Sequence, residues 1–468
     1  VLLAAEDVEL MSTALMFFAK ALQDGADYAV CNAVFGFGGA TALYQSQPLQ
    51  AQNRCAVVSR ALLERCRAAA HDPENVPELL ALAAQLCTKP ALVPQALLHY
   101  ERGICAEDAF SAHGKRAFIM SHVLDMTGAP IVLVSAVPVL RSMGYEVLVL
   151  GPSDGGSLHL FLDAGASVIT RSSCRNVSDA WGMALCADFV IVNTVVMARA
   201  VRALSGTAVP VLWWLHDAFA GYPHIAHQIP TQLGENVRVY SVGSHAANAM
   251  HAVRPEFEIR PLIYGLPDYA AENFVRTDLG YNRGRPLFAT VGSFERRKGH
   301  DIFCKAIRLL PPEVREKASF LFVGQAADKE MMDSVRALTS DYPENVFYCK
   351  RLTRDEIKSL MEQCTGLVCA SRDDPMPTFV TEGLIFGKPS IVSEHTGTAG
   401  LISEGRNGFV YHDDDPQQLA VLLEHAIEHP EELASMRTEC RKMYEQYYSK
   451  EAFEQTLRAA VEDLTAKK

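Results

Sequence analysis

Between Lys115 and Tyr411, short apolar runs alternate with segments of helical length, and this alternation limits the fold more than any other feature. The first series of runs is Ala117–Met120, Glu146–Leu150, Val168–Thr170, Phe189–Asn193, Val209–Leu215 and Val237–Val242. The second is Leu287–Val291, Phe320–Val323, Val346–Cys349, Gly366–Ala370, Ser390–Ser393 and Gly408–Tyr411. Runs of this kind read as strands of a parallel sheet covered on both faces, with intervening segments such as Ile131–Met143 as crossover helices. Right-handed crossovers bring the loops that follow the strands to one edge, where ligands bind. The stretch Pro267–Pro286, with Gly280, Asn282 and Gly284, is polar and turn-rich and reads as a linker. The chain has 468 residues, too many for one core. The expected fold is therefore α/β, with two Rossmann-like domains facing across a cleft, at 113–266 and 287–468, joined by the linker 267–286. The final helix, Lys450–Leu464, is expected to pack back on the first domain.

Residues 1–112 read as a mostly helical N-terminal extension, or the remnant of an upstream domain, because Ala, Leu and Arg dominate Val57–Ala70 and Val76–Cys87. The piece Gly36–Thr41, GFGGAT, lacks the third glycine of a dinucleotide loop and reads as a Gly-rich loop. Glu6–Leu10 resembles the acidic end of some GT-A glycosyltransferase domains, but no DxD precedes it, so a helical extension or the tail of a truncated domain is the better reading. Val in place of Met at position 1 leaves open an upstream signal or domain.

Composition removes several classes. Apolar residues make up 49% and charged residues 21%, so the chain is globular rather than disordered. A net charge of −12 argues against a nucleic-acid partner, yet permits an anionic small molecule in a local basic pocket. Twelve cysteines without CxxC pairs or Cys/His clusters speak against a zinc site or a disulfide framework and for reduced thiols in the cytoplasm. No apolar run is long enough to span a bilayer.

Four constellations carry chemistry. In Val291–Phe303, VGSFERRKGHDIF, a strand end is followed by Arg296, Arg297 and Lys298 and then a helix. Cations at the carboxyl end of a strand suit a diphosphate, although a solvated basic turn is the commoner fate of such a run. In Ser371–Pro389, SRDDPMPTFVTEGLIFGKP, a Pro-punctuated turn leads into the helix Thr378–Phe386, with Asp374 at the turn and Glu382 in the helix. Backbone N–H groups at such a helix start attract anions, and the acids can accept hydroxyl hydrogen bonds. A capping Asp and an exposed Glu would look the same, but would not explain the rigid Pro375-Met376-Pro377. Gly128, in Thr127–Pro130, permits close backbone approach at another helix start. His216, in Trp213–Phe219, follows an apolar strand at the same edge, with Asp217 beside it; Ser244 reads as an N-cap.

Taken together, these residues resemble the family 4 retaining glycosyltransferases of GT-B fold, from about Arg116 to the C-terminus. The family's E-x7-E pattern stands here as Asp374 to Glu382, followed by Gly383-Leu384. Its G-R followed by K-G stands as Gly292-Ser293 and Lys298-Gly299, so Ser293 and Asp374 are departures, and the missing cation falls to Arg296 or Arg297. Ser121–Pro130 is similar to the family's donor-facing loop in members with T-G-A-P, and WWLHD and Ile263–Asp268 resemble its strand-end His and pre-linker turn.

The resemblance implies a metal-independent, retaining hexosyl transfer from a nucleotide diphosphate sugar to a glycan or lipid-linked acceptor in cell-surface polysaccharide or glycoconjugate synthesis. By it, His216, Lys298 and Asp374 are catalytic. Gly128, Ser293, Arg297, Lys298, Asp374, Met376, Pro377, Thr378 and Glu382 bind the donor. No metal and no cofactor is expected beyond the nucleotide sugar as substrate. Cytoplasmic work at the inner face of the membrane, peripheral membrane association, and self-association through residues 1–112 remain open. So do two rivals: an epimerase acting on the same nucleotide sugars, which would convert them without an acceptor, and a non-catalytic sugar-nucleotide-binding subunit, which would bind a donor and transfer nothing.

Overall fold

The computed structural model describes residues 2–4, 8–10, 14–37, 40–44, 55–69, 76–100, 114–153, 155–170, 174 and 184–466. The chain divides into two compact units. One comprises Val1–Leu212, Gln232–Val237 and Asp463–Lys468; the other comprises Trp213–Thr231 and Arg238–Glu462. No helix among the described residues is long and apolar enough to cross a membrane.

In the first unit the parallel strands Lys115–Met120, Tyr145–Gly151, Ser167–Thr170 and Phe189–Asn193 lie in the spatial order 3-2-1-4. Ala117–Met120 and Phe189–Val192 are wholly buried, which their unbroken apolar sequence requires of a sheet covered on both faces. The helix Gly128–Ser142 covers one face through Leu133, Ala136, Val137 and Leu140, whose spacing makes one helical stripe, all without exposure.

The reading of residues 1–112 as mostly helical is corrected. The two helices are present, as Arg60–Ala69 and Val76–Leu86, and pack on a core that includes Tyr28, Val30, Val58, Leu62 and Cys66. But Tyr28–Phe37 and Pro90–Tyr100 are parallel strands, and Ala40–Tyr44 pairs antiparallel with Ser167–Thr170. The segment is thus part of the first unit's sheet. The Ala- and Leu-rich character that gives the two helices does not extend to Tyr28–Phe37, and cross-strand pairing decides these runs. Gly36–Thr41 falls in an antiparallel hairpin, with Gly36 opposite Thr41; Gly38 and Gly39, like Glu6 and Asp7, lie outside the described residues, and Val8–Leu10 is a strand.

In the second unit six parallel strands, Leu287–Val291, Ser319–Val323, Val346–Cys349, Gly366–Cys369, Ser390–Ser393 and Gly408–Tyr411, are ordered 3-2-1-4-5-6. The direction of winding reverses between Leu287–Val291 and Gly366–Cys369, which pair directly, and the carboxyl ends of strands at such a reversal point are where open α/β sheets bind ligands. The stretch read as a linker is tied to the helix Arg354–Gln363. Arg276 grips Glu362 with two nitrogens at 3.0–3.1 Å, the Thr277 amide donates to Ser359 Oγ, and Gln363 Nε2 donates to the Thr277 carbonyl. Asp268 is paired with Arg441.

Candidate active site

The two loops at the reversal point supply the site. The first leaves the strand at Val291 and turns through a 3₁₀ segment, Arg296–Lys298. Gly299 then caps the helix His300–Leu309 at φ 66°, a left-handed conformation that glycine adopts without strain. The second loop leaves the strand at Cys369 and runs to the helix Thr378–Ile385. Arg372 stitches the loops together: its amide donates to the Arg297 carbonyl at 2.8 Å, one guanidinium nitrogen donates to the Arg296 carbonyl, and the fork holds both oxygens of Asp301 at 2.8 Å.

This stitching brings Lys298 Nζ to 2.6 Å from Asp374 Oδ2. The Asp374 carboxylate is almost fully buried and also accepts from Ser371 Oγ at 3.4 Å and the Met376 amide at 3.3 Å. Its backbone is clamped between the His395 carbonyl and the Gly397 amide. A buried carboxylate must be compensated in this way, and Lys298 is its only cation among the described residues. The neighbouring His300 is buried against the Phe294 ring at 4.5 Å; burial, helped by the Lys298 charge, pushes its pKa down to about 3, so it is neutral.

Ser293 and Arg297 both engage Glu295: Ser293 Oγ donates at 3.0 Å and Arg297 Nη2 at 2.9 Å, while Arg297 Nη1 donates to the Asp373 carbonyl. The expected run of cations therefore carries its own acid. Met376 is buried, and Tyr448 donates to its sulfur. Pro377 caps the next helix and Thr378 is exposed at its first turn. Glu382, mostly buried, pairs through Oε1 with Arg354 Nη1 at 2.6 Å. His216 follows the strand Val211–Leu215 and lies with its ring 4.7 Å from the Trp214 indole. Gly128, in the first unit, opens its helix in free space: a Cβ there would meet nothing within 4 Å.

Three participants were not legible in the sequence. Tyr264 is buried, its hydroxyl 3.4 Å from Thr378 Oγ1; burial drives its phenol pKa far up, and Asp374 and Glu382 both add to that shift, so the two acids act on one neighbourhood. Arg354 pairs with Glu382 across 28 positions. Asp373 accepts from His245 Nε2 at 2.7 Å and from the Phe219 and Ala220 amides at 3.1 and 2.8 Å. These contacts fix the segment after His216 against the Asp374 turn. An Asp-Asp pair was the only sequence signal, and nothing in spacing selects a histidine 128 positions away.

Burial of Asp373 favours its neutral form, but the hydrogen bonds from His245 and the two amides outweigh it and hold the carboxyl below its ordinary value. A depressed folded-state pKa stabilises the protein above the unfolded value of about 3.9, and that contribution falls away as pH drops below it. Asp373→Asn is therefore expected to cost about 1–3 kcal/mol at pH 7. In urea denaturation the gap from the wild type should narrow between pH 7 and pH 3.5; a gap that is constant with pH would exclude this account.

Two family models match the chain. Residues 113–256 match the family described as glycosyl-transferase family 4, and residues 272–443 match glycosyl transferases group 1. An uncharacterized glycosyltransferase, MJ1178, of Methanocaldococcus jannaschii is 25% identical over 194 residues, 41% of this chain and 53% of that protein. Spore coat protein SA of Bacillus subtilis is 26% identical over 160 residues, 32% of this chain and 41% of that protein. The chain thus spans about half the length, or less, of these curated relatives. Among solved structures, Anabaena Alr3699/HepE in complex with UDP and glucose superposes with a TM-score of 0.58 at 16% identity, over 75% of this chain and all of that one.

Proposed function

Since the chain belongs to the family 4 glycosyltransferases and has the GT-B fold of two Rossmann-like units, we propose that it moves a sugar, with retention of configuration, from a nucleotide diphosphate sugar to a hydroxyl of a glycan or lipid-linked glycan. The setting is cell-surface polysaccharide or glycoconjugate synthesis in the cytoplasm. The observation that carries this reading is the meeting of Lys298 and Asp374 at 2.6 Å, from the two loops that flank the sheet's reversal point.

In this reading Glu382 accepts from ribose hydroxyls and Asp374 accepts from a hydroxyl of the donor sugar. Lys298, with Arg297 beside it, balances the departing diphosphate. Ser293, Met376, Pro377 and Thr378 shape the loops around it, Gly128 lets backbone approach the donor, and His216 stands near the anomeric carbon. The bond from that carbon to the diphosphate oxygen breaks, the acceptor oxygen bonds to the same face, and its proton passes to the leaving phosphate. Fixed cations and the N-terminus of the helix Thr378–Ile385 stabilise the developing anion without a metal. That a related fold binds UDP and glucose, as in the Anabaena protein, is in keeping with such a donor.

A thermal-shift screen against UDP-, GDP- and ADP-sugars tests the donor, since a ligand bound only to the folded state raises the melting temperature. Glu382→Ala is expected to weaken binding of the selected donor by about 1–3 kcal/mol through lost charge-assisted hydrogen bonds. Unchanged affinity in calorimetry would remove Glu382 from the donor site, and sugar conversion without any acceptor would indicate an epimerase.

A further inference from the structure

Glu382 does not stand alone. Arg354 is the first residue of a helix whose start is fixed by a reciprocal cap, Thr353 Oγ1 accepting from the Glu356 amide and Glu356 accepting from the Thr353 amide. Its guanidinium lies 4.1 Å from the centroid of the Tyr269 ring, a planar seat for a planar cation. Tyr269 belongs to the stretch that is tied down along the same helix. From this seat Nη1 reaches Glu382 Oε1 at 2.6 Å, while 48% of the Arg354 side chain stays exposed and only 10% of the Glu382 side chain does.

The pair is one-sided on both partners. Glu382 Oε2 takes no hydrogen bond from any described residue, and the guanidinium has further N–H groups beyond the one spent on Oε1. A spare carboxylate oxygen and spare N–H groups therefore stand side by side. Vicinal hydroxyls, each both donor and acceptor, match such a pair: one donates to the carboxylate and the other accepts from the guanidinium. A lone carboxylate could bond both hydroxyls only as donors. We propose that Arg354 is a second ribose-contacting residue, which together with Glu382 reads the cis-diol of the nucleotide. This rests on the donor-binding reading of Glu382 given above.

The test uses the full chain and isothermal titration with UDP, GDP and ADP, followed by the 2′-deoxy and 3′-deoxy analogues of the one that binds. Arg354→Met is expected to weaken the ribonucleotide about tenfold, with Arg354→Lys intermediate because it keeps the charge and loses the fork. For the analogue lacking the hydroxyl that Arg354 contacts, the penalty should shrink to within about twofold. In a Glu382→Gln background the Arg354→Met penalty should persist, which it would not if Arg354 only held Glu382 in place. A penalty undiminished on both analogues, or absent from the ribonucleotide, overturns the role of Arg354 and leaves the donor reading intact. Wild-type protein that binds none of the three nucleotides overturns both. If Arg354→Met does not fold, Arg354→Lys and Arg354→Gln carry the same comparison.

Discussion

Lys298→Ala is expected to lower the rate of sugar transfer about 10²- to 10³-fold while changing donor affinity far less. The size follows from removing one preorganised group that faces charge developing in the transition state. The asymmetry follows from the resting contact: in the free protein the ammonium is already 2.6 Å from Asp374, so ground-state binding gains little from it that Asp374 does not share. The same substitution strips the cation from a carboxylate that is 3% exposed, which costs about 3–5 kcal/mol of stability when a buried partner is deleted. The two losses separate in a double substitution. Asp374→Asn in the Lys298→Ala background removes the uncompensated charge, so the melting temperature should recover while turnover should not. Single-turnover kinetics and calorimetry with the donor found by screening read the outcome. A Lys298→Ala enzyme with normal turnover, or one whose loss lies wholly in affinity, would end the assignment of Lys298 to the leaving group.

How much of this was legible in the sequence depends on whether the signal was local. Twelve of the thirteen described strands between Lys115 and Tyr411 were read within about two residues at each end, because continuous apolar runs bounded by Gly, Pro or polar residues carry their own boundaries; the short, polar Ile259–Pro261 was missed. The loops that carry Lys298 and Asp374 were also legible, since a strand end and a helix start mark both, with Gly299 at positive φ in the first and Pro375 and Pro377 in the second, and the strand order then brings them together. Tyr28–Phe37 and Pro90–Tyr100 were not, because they pair with each other across some sixty positions, while the Ala-, Leu- and Arg-rich helices between them set the reading of the whole segment. The partners of the site acids escaped for the same reason. Arg354 and Glu382 are 28 positions apart, His245 and Asp373 128, and only the packed fold selects these pairs. The sequence named Glu382 and not its partner Arg354, and it named neither Asp373 nor His245.

Gly299→Ala should be the most destructive single-methyl change in the second unit, and the reason lies in two separate effects at one atom. At φ 66° an alanine incurs the left-handed penalty, about 1–2 kcal/mol. In addition, the new Cβ would fall inside the van der Waals radius of the Ala370 carbonyl oxygen, which is backbone and cannot rotate away as a side chain could. Gly280 provides the contrast: it has φ 68° and nothing within 4 Å of its Cβ direction, so Gly280→Ala carries the first effect alone. The difference between the two substitutions therefore isolates the overlap. Gly299→Ala is expected to lose more than about 4 kcal/mol, a range reached only by a few mechanisms of which backbone overlap is one. At about 2–4 °C per kcal/mol for a unit of this size, the melting temperature should fall by roughly 10 °C. Relief is open only by moving Lys298-Gly299 away from Ala370, and Ala370 leads straight into Ser371 and Asp374. Any protein that survives the change should therefore have a lengthened Lys298–Asp374 contact and impaired transfer. A Gly299→Ala protein that melts within about 3 °C of Gly280→Ala would mean that the two loops have room to part, and the rigid pairing of Lys298 with Asp374 could not then be what organises the site.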